Sequence, residues 1–191
     1  MSHVSILGTG NMGPAIATIV TKGGNTVELF NSSDTSKPVT GDIVVLAVPY
    51  ASVAQILSER ADQLAGKIVV DITNPLNFET FDGLTVPADS SAAAEIAAKL
   101  PQSRVLKAFN TNFGATLGSG TVGTEPTTVL IAGDDAEAKA LLAGIVSAAG
   151  LKAIDAGSLK RARELEALAF LQITLAAGEK ISWTGGFAVI S

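Results

Sequence analysis

The chain has 191 residues with a formal net charge of −5, a single His and no Cys. This length suits one domain with its own core. The lack of Cys excludes a thiol nucleophile and a Cys metal site, and a lone His gives no basis for a His-dependent triad. The acidic balance disfavours a nucleic-acid surface, which needs clustered Lys and Arg. We therefore expect no metal, no nucleic-acid partner and a small-molecule ligand.

Hydrophobic residues make up 47% of the chain, yet no run approaches the roughly 18 apolar residues that a membrane span requires. The first apolar segment, residues 4–7, has only the length of a strand, so it does not resemble a secretory signal. We expect a cytoplasmic protein without membrane association.

Strand and helix patterns alternate along most of the chain. Strands are predicted at residues 4–7, 26–30, 42–48, 67–72, 104–109, 128–132 and 152–155. Helical periodicity fills most of the intervals, and Asp134 with Glu137 predicts a capping box for the helix that ends near Gly150. Only about ten residues, 31–41, separate the second and third strands, which is too short for an ordinary crossover helix.

This alternation predicts an α/β fold, a Rossmann-type doubly wound, mainly parallel sheet with a shortened second crossover and a small C-terminal helical part. We expect residues 1–156 to form the Rossmann-type domain. Residues 157–191 are predicted to be a helical extension that packs on it within a single structural unit.

The C-terminal helix, predicted at residues 159–179, has apolar side chains around most of its circumference, and such a helix requires burial on more than one side. Packing within the monomer and a homodimer interface both satisfy this requirement, and the sequence leaves both open. Its charged residues are predicted to form the solvated side; they are Arg161, Arg163, Glu164 and Glu166.

The loop Gly8-Thr9-Gly10-Asn11-Met12-Gly13 joins the first strand to the first helix. Its three glycines match the GxGxxG pattern: the first permits a tight turn, the second lets a pyrophosphate approach the backbone, and the third allows close packing of helix on strand. The helix N-terminus offers free N–H groups to phosphates. Because the required strand precedes the loop and a periodic helix follows it, we predict a dinucleotide site here.

NAD-binding domains place Asp or Glu at the end of the second strand to bind the ribose 2′-hydroxyl. Here that position reads Asn31-Ser32-Ser33, with Lys37 nearby. These groups can donate to a 2′-phosphate and do not repel it, so NADP is favoured over NAD. Two alternatives stay open: Asp34 could face the ribose, and Lys37 could be a solvated loop charge.

Ligands of open α/β sheets lie at the carboxyl ends of the strands. The third strand ends in Ala47-Val48-Pro49-Tyr50 and the fourth in Thr73-Asn74-Pro75, so both segments are predicted to border the cofactor. Tyr50 would stack on it or be an ordinary core tyrosine, and Asn74 would bind ribose or carboxamide or form a turn. Asn110 and Thr111 are predicted on the substrate side; the alternative is that Asn110 and Asn112 only satisfy backbone groups of the loop. His3, at the opposite end, is predicted to be structural.

Taken together, the segments GTGNMG, DIVVLAVPY, VVDITNPLNF, RVLKAFNT, TVLIAGDD and AIDAGSLKRARELEALAFLQI resemble the coenzyme F420-dependent NADP oxidoreductase family, including its bacterial dinucleotide-binding members. The resemblance covers nearly the whole chain in order. It implies NADP(H) binding, frequent homodimers and hydride transfer between nicotinamide and a second redox partner.

By that resemblance, the pyrophosphate loop includes Thr9, Gly10, Asn11 and Met12, and the nicotinamide half is bordered by Val48, Pro49, Asn74 and Pro75. Two departures stand out. The family carries Ser-Arg after the second strand where this chain has Asn31-Ser32, and its second helix is largely missing here.

We expect an NADP(H)-dependent oxidoreductase that transfers a hydride between nicotinamide and a deazaflavin such as F420, a flavin or another small redox acceptor. Stacked rings can react without a protein acid or base, so no catalytic side chain is predicted. The alternative is a non-catalytic NADP(H)-binding sensor. An imine or hydroxyacid reductase would need a longer helical domain than this chain has.

Overall fold

A computed structural model describes residues 1–190. The strands and helices follow in chain order as β1 (His3–Leu7), α1 (Met12–Lys22), β2 (Thr26–Phe30), β3 (Ile43–Leu46), α2 (Tyr50–Leu64), β4 (Ile68–Asp71), α3 (Ala92–Lys99), β5 (Arg104–Lys107), α4 (Gly114–Ser119), β6 (Thr121–Val122), β7 (Glu125–Pro126), β8 (Thr128–Gly133), α5 (Ala136–Ala148), β9 (Lys152–Gly157) and α6 (Ala162–Ala177), with a 3-10 turn, Leu159–Arg161, before α6.

Seven strands form one sheet in the order β2-β1-β3-β4-β5-β8-β9. The first five are parallel, and β3 and β4 are fully buried, as expected for continuous apolar strands with helices on both faces. The order reverses at β1, because β2 lies on one side of it and β3 on the other. The predicted doubly wound, mainly parallel fold is confirmed.

The last two strands of the sheet run in the opposite direction. β8 is antiparallel to β5, and β9 is parallel to β8. The sequence did not reveal this reversal, nor the short helix α4 and the β6–β7 hairpin that cause it. These short elements do not return the chain to the end of the sheet at which β5 starts. β8 therefore begins at the end of the sheet where β5 finishes and runs antiparallel to it.

Two hydrophobic clusters cover the two faces of the sheet. One includes Ile16 and Ile19 of α1 with Leu142 and Ile145 of α5. The other includes Val53, Leu57 and Leu64 of α2 with Ile96 of α3. The carboxyl ends of the parallel strands are therefore held rigidly between two helical layers.

The connection from β2 to β3 contains no helix, so the predicted shortened crossover is confirmed. We call residues 31–42 the β2–β3 loop. Side chains of α2 support it: Gln63 Oε1 accepts a hydrogen bond of 2.8 Å from Val39 N, and Arg60 donates to carbonyl oxygens of the loop. No helix among residues 1–190 is long and apolar enough to cross a membrane.

Two local predictions at other helices were wrong. The N-cap of α5 is Asp135, whose side chain accepts from Ala138 N at 2.7 Å, whereas Asp134 instead accepts from Leu159 N at 3.0 Å. Glu166 of α6 does not belong to a solvated face, because it is fully buried. The charged residues that precede it, Arg161, Arg163 and Glu164, are exposed, whereas Glu166 shares the buried face of α6 with Leu165 and Ala169.

Candidate functional site

The glycine loop between β1 and α1 has the geometry that its sequence predicts. Gly8 has a φ of +126°, and a Cβ there would lie 2.0 Å from Ala47 O. A Cβ on Gly13 would lie 2.0 Å from Gly8 O, whereas a Cβ on Gly10 would meet nothing within 4 Å. Gly8 and Gly13 are thus required by the protein's own packing. Gly10 borders open space, so its lack of a side chain serves no contact within the chain.

The first turn of α1 faces this open space without a polar side chain covering it. Asn11 is the N-cap residue, but its side chain makes no capping hydrogen bond, and no acidic residue lies in the first turn. The backbone N–H groups and the positive end of the helix dipole therefore favour an anionic group. A pyrophosphate above Gly10 would meet both features.

The loop opens into a cleft of about 400 Å³, which we call the glycine-loop cleft. This volume lies within the range of small-molecule sites. Of the predicted cofactor residues, those that line the cleft are Gly8, Thr9, Gly10, Asn31, Ser32, Ala47, Val48 and Pro49. Further lining residues are Leu7, Phe30, Asp34, Thr35, Ser52, Gln55, Ile56, Glu59 and Arg60.

The remaining predicted cofactor residues do not line this cleft; they are Asn11, Met12, Ser33, Lys37, Tyr50, Asn74 and Pro75. Asn11 and Met12 adjoin Gly10 in the chain. Lys37 is directed elsewhere, because its Nζ lies 3.5 Å from Glu28 Oε2 and donates to Leu29 O at 3.3 Å. The structure therefore unites the pyrophosphate loop, Asn31 and the end of β3, but leaves Lys37 outside.

The start of the β2–β3 loop is organised by its own side chains. Asn31 Oδ1 accepts from Ser33 N at 2.8 Å, and Asp34 Oδ2 accepts from Asn31 N at 2.8 Å. Asn31 and Ser32 are exposed at the cleft, and Asp34 also lines it. The structure thus brings the carboxylate of Asp34 to the same end of the cleft as the two neutral groups.

Among the cleft-lining residues that the sequence did not predict, Arg60 is the positively charged one. It is 7% exposed, and its guanidinium donates to Lys37 O at 2.8 Å, to Thr35 O at 3.3 Å and to Asp34 O. Its Cζ also lies 5.5 Å from the centre of the Phe30 ring. A signal was present: the buried residues of α2 are Val53, Leu57, Arg60 and Leu64, so an arginine occupies the helix's core-facing stripe.

At the ends of β4 and β5, two predicted residues meet in a reciprocal amide contact. Asn74 Nδ2 donates to Asn110 O and Asn110 Nδ2 donates to Asn74 Oδ1, both at 3.0 Å. Asn110 Nδ2 also donates to Leu165 O at 3.0 Å. Thr111 is buried, and its carbonyl accepts from Gln172 of α6 at 3.0 Å. The predicted cofactor and substrate residues are therefore brought together here, and both strand ends are tied to α6.

Beneath these strand ends lies a buried ion cluster. Lys107 Nζ lies 2.8 Å from Asp71 Oδ2 and 2.8 Å from Glu166 Oε1, and all three side chains are at most 1% exposed. Lys107 also donates to Thr73 O at 2.5 Å. Since Thr73 precedes Asn74, the cluster fixes the turn that carries Asn74. We call Lys107, Asp71 and Glu166 the buried triad.

Glu166 also connects the triad to α3. Its Oε2 accepts from Ala92 N at 2.9 Å and its Oε1 from Ala93 N at 3.3 Å, at the helix N-terminus. Burial raises the pKa of the Glu166 carboxyl above its ordinary value, while Lys107 acts in the opposite direction. The sequence could not reveal this arrangement, because the members lie on three elements distant in the chain.

Tyr50 turns away from the glycine-loop cleft. It begins α2, and its hydroxyl donates to Glu95 Oε2 of α3. Burial and this hydrogen bond raise the pKa of the Tyr50 hydroxyl. The side chain lines a separate small cavity with Val53 and Ile96, so in this structure it connects α2 to α3.

Residues 33–75 match the family described as NADP oxidoreductase coenzyme F420-dependent. The chain is 33% identical to the F420-dependent NADP reductase of Methanocaldococcus jannaschii over 149 residues, which cover 76% of this chain and 66% of that protein. It is 32% identical to the metalloreductase STEAP3 of Rattus norvegicus over 184 residues, covering 86% of this chain but only 36% of that protein.

Among solved structures, the chain is similar over its whole length to a protein of Arthrobacter sp. FB24 proposed to be an F420-dependent NADP-reductase. The two have a TM-score of 0.84 and 25% identity, with 100% of each chain covered. This similarity extends over the C-terminal helix as well as the sheet.

Proposed function

Because the chain belongs to the coenzyme F420-dependent NADP oxidoreductase family, we propose that it binds NADP(H) in the glycine-loop cleft and transfers a hydride between nicotinamide and a deazaflavin, a flavin or another small redox acceptor. The contrast within the glycine loop carries this proposal. Backbone atoms occupy the space where a side chain of Gly8 or Gly13 would lie, whereas Gly10 borders open space beside the N-terminus of α1, which has no side-chain cap. This arrangement is suited to a pyrophosphate.

The protein's part in such a reaction is to bind and orient. The bound nicotinamide supplies the hydride chemistry. Val48 and Pro49, at the end of β3, extend the cleft from the glycine loop. The amide pair of Asn74 and Asn110 would border the nicotinamide end, where its orientation is fixed by α6 and the buried triad. Alignment of two rings supplies much of the rate without an acid or base.

A valine at Gly10 tests the placement of the cofactor. Gly10→Val should abolish NADPH binding while the fold is retained, since the new side chain enters space that no protein atom occupies. Gly144→Val, at an exposed position of α5 that is also open, is the matched control and should bind normally. Calorimetry provides the affinity and circular dichroism the fold. Unchanged affinity in Gly10→Val would refute the placement.

Transfer of deuteride from stereospecifically labelled NADPH tests the reaction itself. We expect transfer of one of the two C4 hydrogens to F420, a flavin or another acceptor in a broad panel. If NADPH binds but no acceptor receives label, the protein is instead a sensor, and a protein partner should then be captured only in the presence of NADPH.

We further propose that the protein forms a homodimer through α6. Leu171 is 50% exposed, whereas Leu165, Ala169 and Ala176 of the same helix are buried within the monomer. A symmetric contact at Leu171 would cover this side chain. Light scattering should therefore give the mass of a dimer for the wild type and of a monomer for Leu171→Asp, and a monomeric wild type would refute this part of the proposal.

A further inference from the structure

We propose that Arg60 provides the positive charge that selects the 2′-phosphate of NADP(H). This inference rests on the proposed function, because it assumes a dinucleotide in the glycine-loop cleft. It assigns a specificity role to a residue of α2, outside the β2–β3 loop from which the sequence led us to expect that contact.

The charge of Arg60 favours an anionic ligand in the cleft. An arginine remains protonated in proteins, and a buried charge is ordinarily paired with an opposite one. Arg60 is 7% exposed, yet no carboxylate oxygen of residues 1–190 lies within 4.0 Å of its guanidinium nitrogens. Its partners are three carbonyl oxygens, which solvate the cation without neutralising it. An anion entering the cleft would neutralise it.

The position of Arg60 favours the ribose end of a bound dinucleotide. Arg60 lines the cleft together with Asn31, Ser32 and Thr35, which follow β2. The ribose of a dinucleotide bound at the glycine loop lies at the end of β2. The guanidinium holds the β2–β3 loop by donating hydrogen bonds to the carbonyl oxygens of Asp34, Thr35 and Lys37. A 2′-phosphate at this loop would therefore lie beside the cation.

Lys37, the other cation near the β2–β3 loop, is already paired with a carboxylate of the chain. Lys37 does not line the cleft, and its Nζ pairs with Glu28 at 3.5 Å and lies 4.0 Å from the centre of the Phe30 ring. The two acidic residues that do line the cleft are Asp34 and Glu59. Glu59 is exposed and accepts from Gln55 Nε2 at 2.9 Å. Asp34 is the carboxylate of the β2–β3 loop that lines the cleft, and it should oppose the preference that Arg60 creates.

The measured quantity is the ratio of the dissociation constant for 5′-AMP to that for 2′,5′-ADP, two ligands that differ only by the 2′-phosphate. Arg60→Met should lower this ratio about tenfold or more, since it removes a charge-assisted contact. Arg60→Lys keeps the charge and should retain most of the ratio while losing the forked support of the loop. Asp34→Asn keeps an acceptor for Asn31 N and should raise the ratio by about threefold.

These variants separate a specificity role from a structural one. If Arg60→Met weakens both ligands equally, Arg60 only supports the loop and the inference is overturned. A wild type that binds 5′-AMP and 2′,5′-ADP equally overturns it as well. If Arg60→Met does not fold, Arg60→Gln decides, because it removes the charge but keeps an amide N–H₂ that can donate to the loop carbonyls. The ratio should fall in Arg60→Gln and be retained in Arg60→Lys, and equal ratios in these two variants would overturn the inference. Absence of hydride transfer would refute the proposed function alone, because this ratio does not depend on turnover.

Discussion

The two ends of the proposed cofactor site differ in whether their buried cation is paired with a carboxylate. At the adenosine end, Arg60 is a buried cation surrounded by carbonyl oxygens, beside a cleft that is open to solvent. At the nicotinamide end, Lys107 is buried between Asp71 and Glu166, and the amides of Asn74 and Asn110 bind each other. One end has a cation without a carboxylate partner among residues 1–190, and the other pairs its cation with two carboxylates.

This difference indicates what each end is built to do. An uncompensated cation gains from a ligand that carries its own negative charge, so the adenosine end favours affinity and selection. At the nicotinamide end, paired charges and amide hydrogen bonds fix the strand ends in one position, and the oxygens there that lack a hydrogen-bond partner among residues 1–190, Asn110 Oδ1 and Thr73 Oγ1, are neutral. This end therefore favours orientation. The following predictions test this contrast, mostly at the nicotinamide end.

Removing the cation of the triad should have the largest effect. Lys107→Met leaves Asp71 and Glu166 buried without their partner, and we expect the free energy of unfolding to fall by about 3–5 kcal/mol. Lys139→Met is the control, since Lys139 pairs with Asp155, whose side chain is 60% exposed; it should cost at most about 1 kcal/mol. Urea unfolding measures both. Equal losses would show that the triad is no more than a surface ion pair in its energetics.

The amide pair should come next. Asn110→Ala leaves Asn74 Oδ1 and Leu165 O without their donor, so we expect a loss of about 2 kcal/mol in unfolding free energy. A double-mutant cycle with Asn74→Ala separates the contact between the two side chains from the bond to Leu165, and the coupling should be about 1 kcal/mol. If the two losses simply add, the amides do not act as a unit and the orienting role loses its support.

The features of the fold and of the site that the sequence predicted are those that depend on local patterns. The glycine loop, the alternation of strands and helices and the short β2–β3 connection are local patterns, so they could be read from spacing alone. Asn31 and Ser32 reach the cleft because they directly follow β2. Lys37 is close to them in the chain but turns toward Glu28, which no local pattern specifies.

The features that the sequence did not reveal depend on contacts between distant segments. Glu166 follows the exposed Arg163 and Glu164, and its pairing in the interior depends on Lys107, which is 59 positions away in the chain. The reversed direction of β8 depends on the short α4 and the β6–β7 hairpin. The burial of Arg60 and of Glu166 is the exception, because each occupies the buried stripe of its own helix, Arg60 with Leu57 and Glu166 with Leu165.

Tyr50 lies at the end of β3 between the two halves, and its hydroxyl provides a smaller test. Tyr50→Phe removes the hydrogen bond to Glu95, so we expect a loss of about 1 kcal/mol in unfolding free energy. The affinity for NADPH should not change, because Tyr50 does not line the glycine-loop cleft. Denaturant unfolding and calorimetry measure the two effects. A marked fall in affinity with unchanged stability would mean that the ring contacts the cofactor after all.

The subtlest test concerns the pH dependence of stability at the triad. Burial raises the pKa of Glu166 above its ordinary value of 4.5, and the charged groups that face it are Lys107 and Asp71. A raised pKa means that the folded protein holds this proton more tightly than the unfolded chain. Its contribution to stability is therefore complete below about pH 4.5 and is lost as the pH rises through the raised value.

Glu166→Gln removes this ionisation while keeping an oxygen that can accept from Lys107 and from the N-terminus of α3. The wild type minus Glu166→Gln difference in unfolding free energy should be most favourable to the wild type at low pH and decline as the pH rises. Carboxyls whose pKa is lowered, such as Glu28 and Asp155, act in the opposite direction but are shared by both proteins and cancel. Urea unfolding across this range measures the difference. A difference that grows with pH would show that Lys107 outweighs burial, which would make the nicotinamide end an anion site stabilised by its cation and remove the contrast with Arg60.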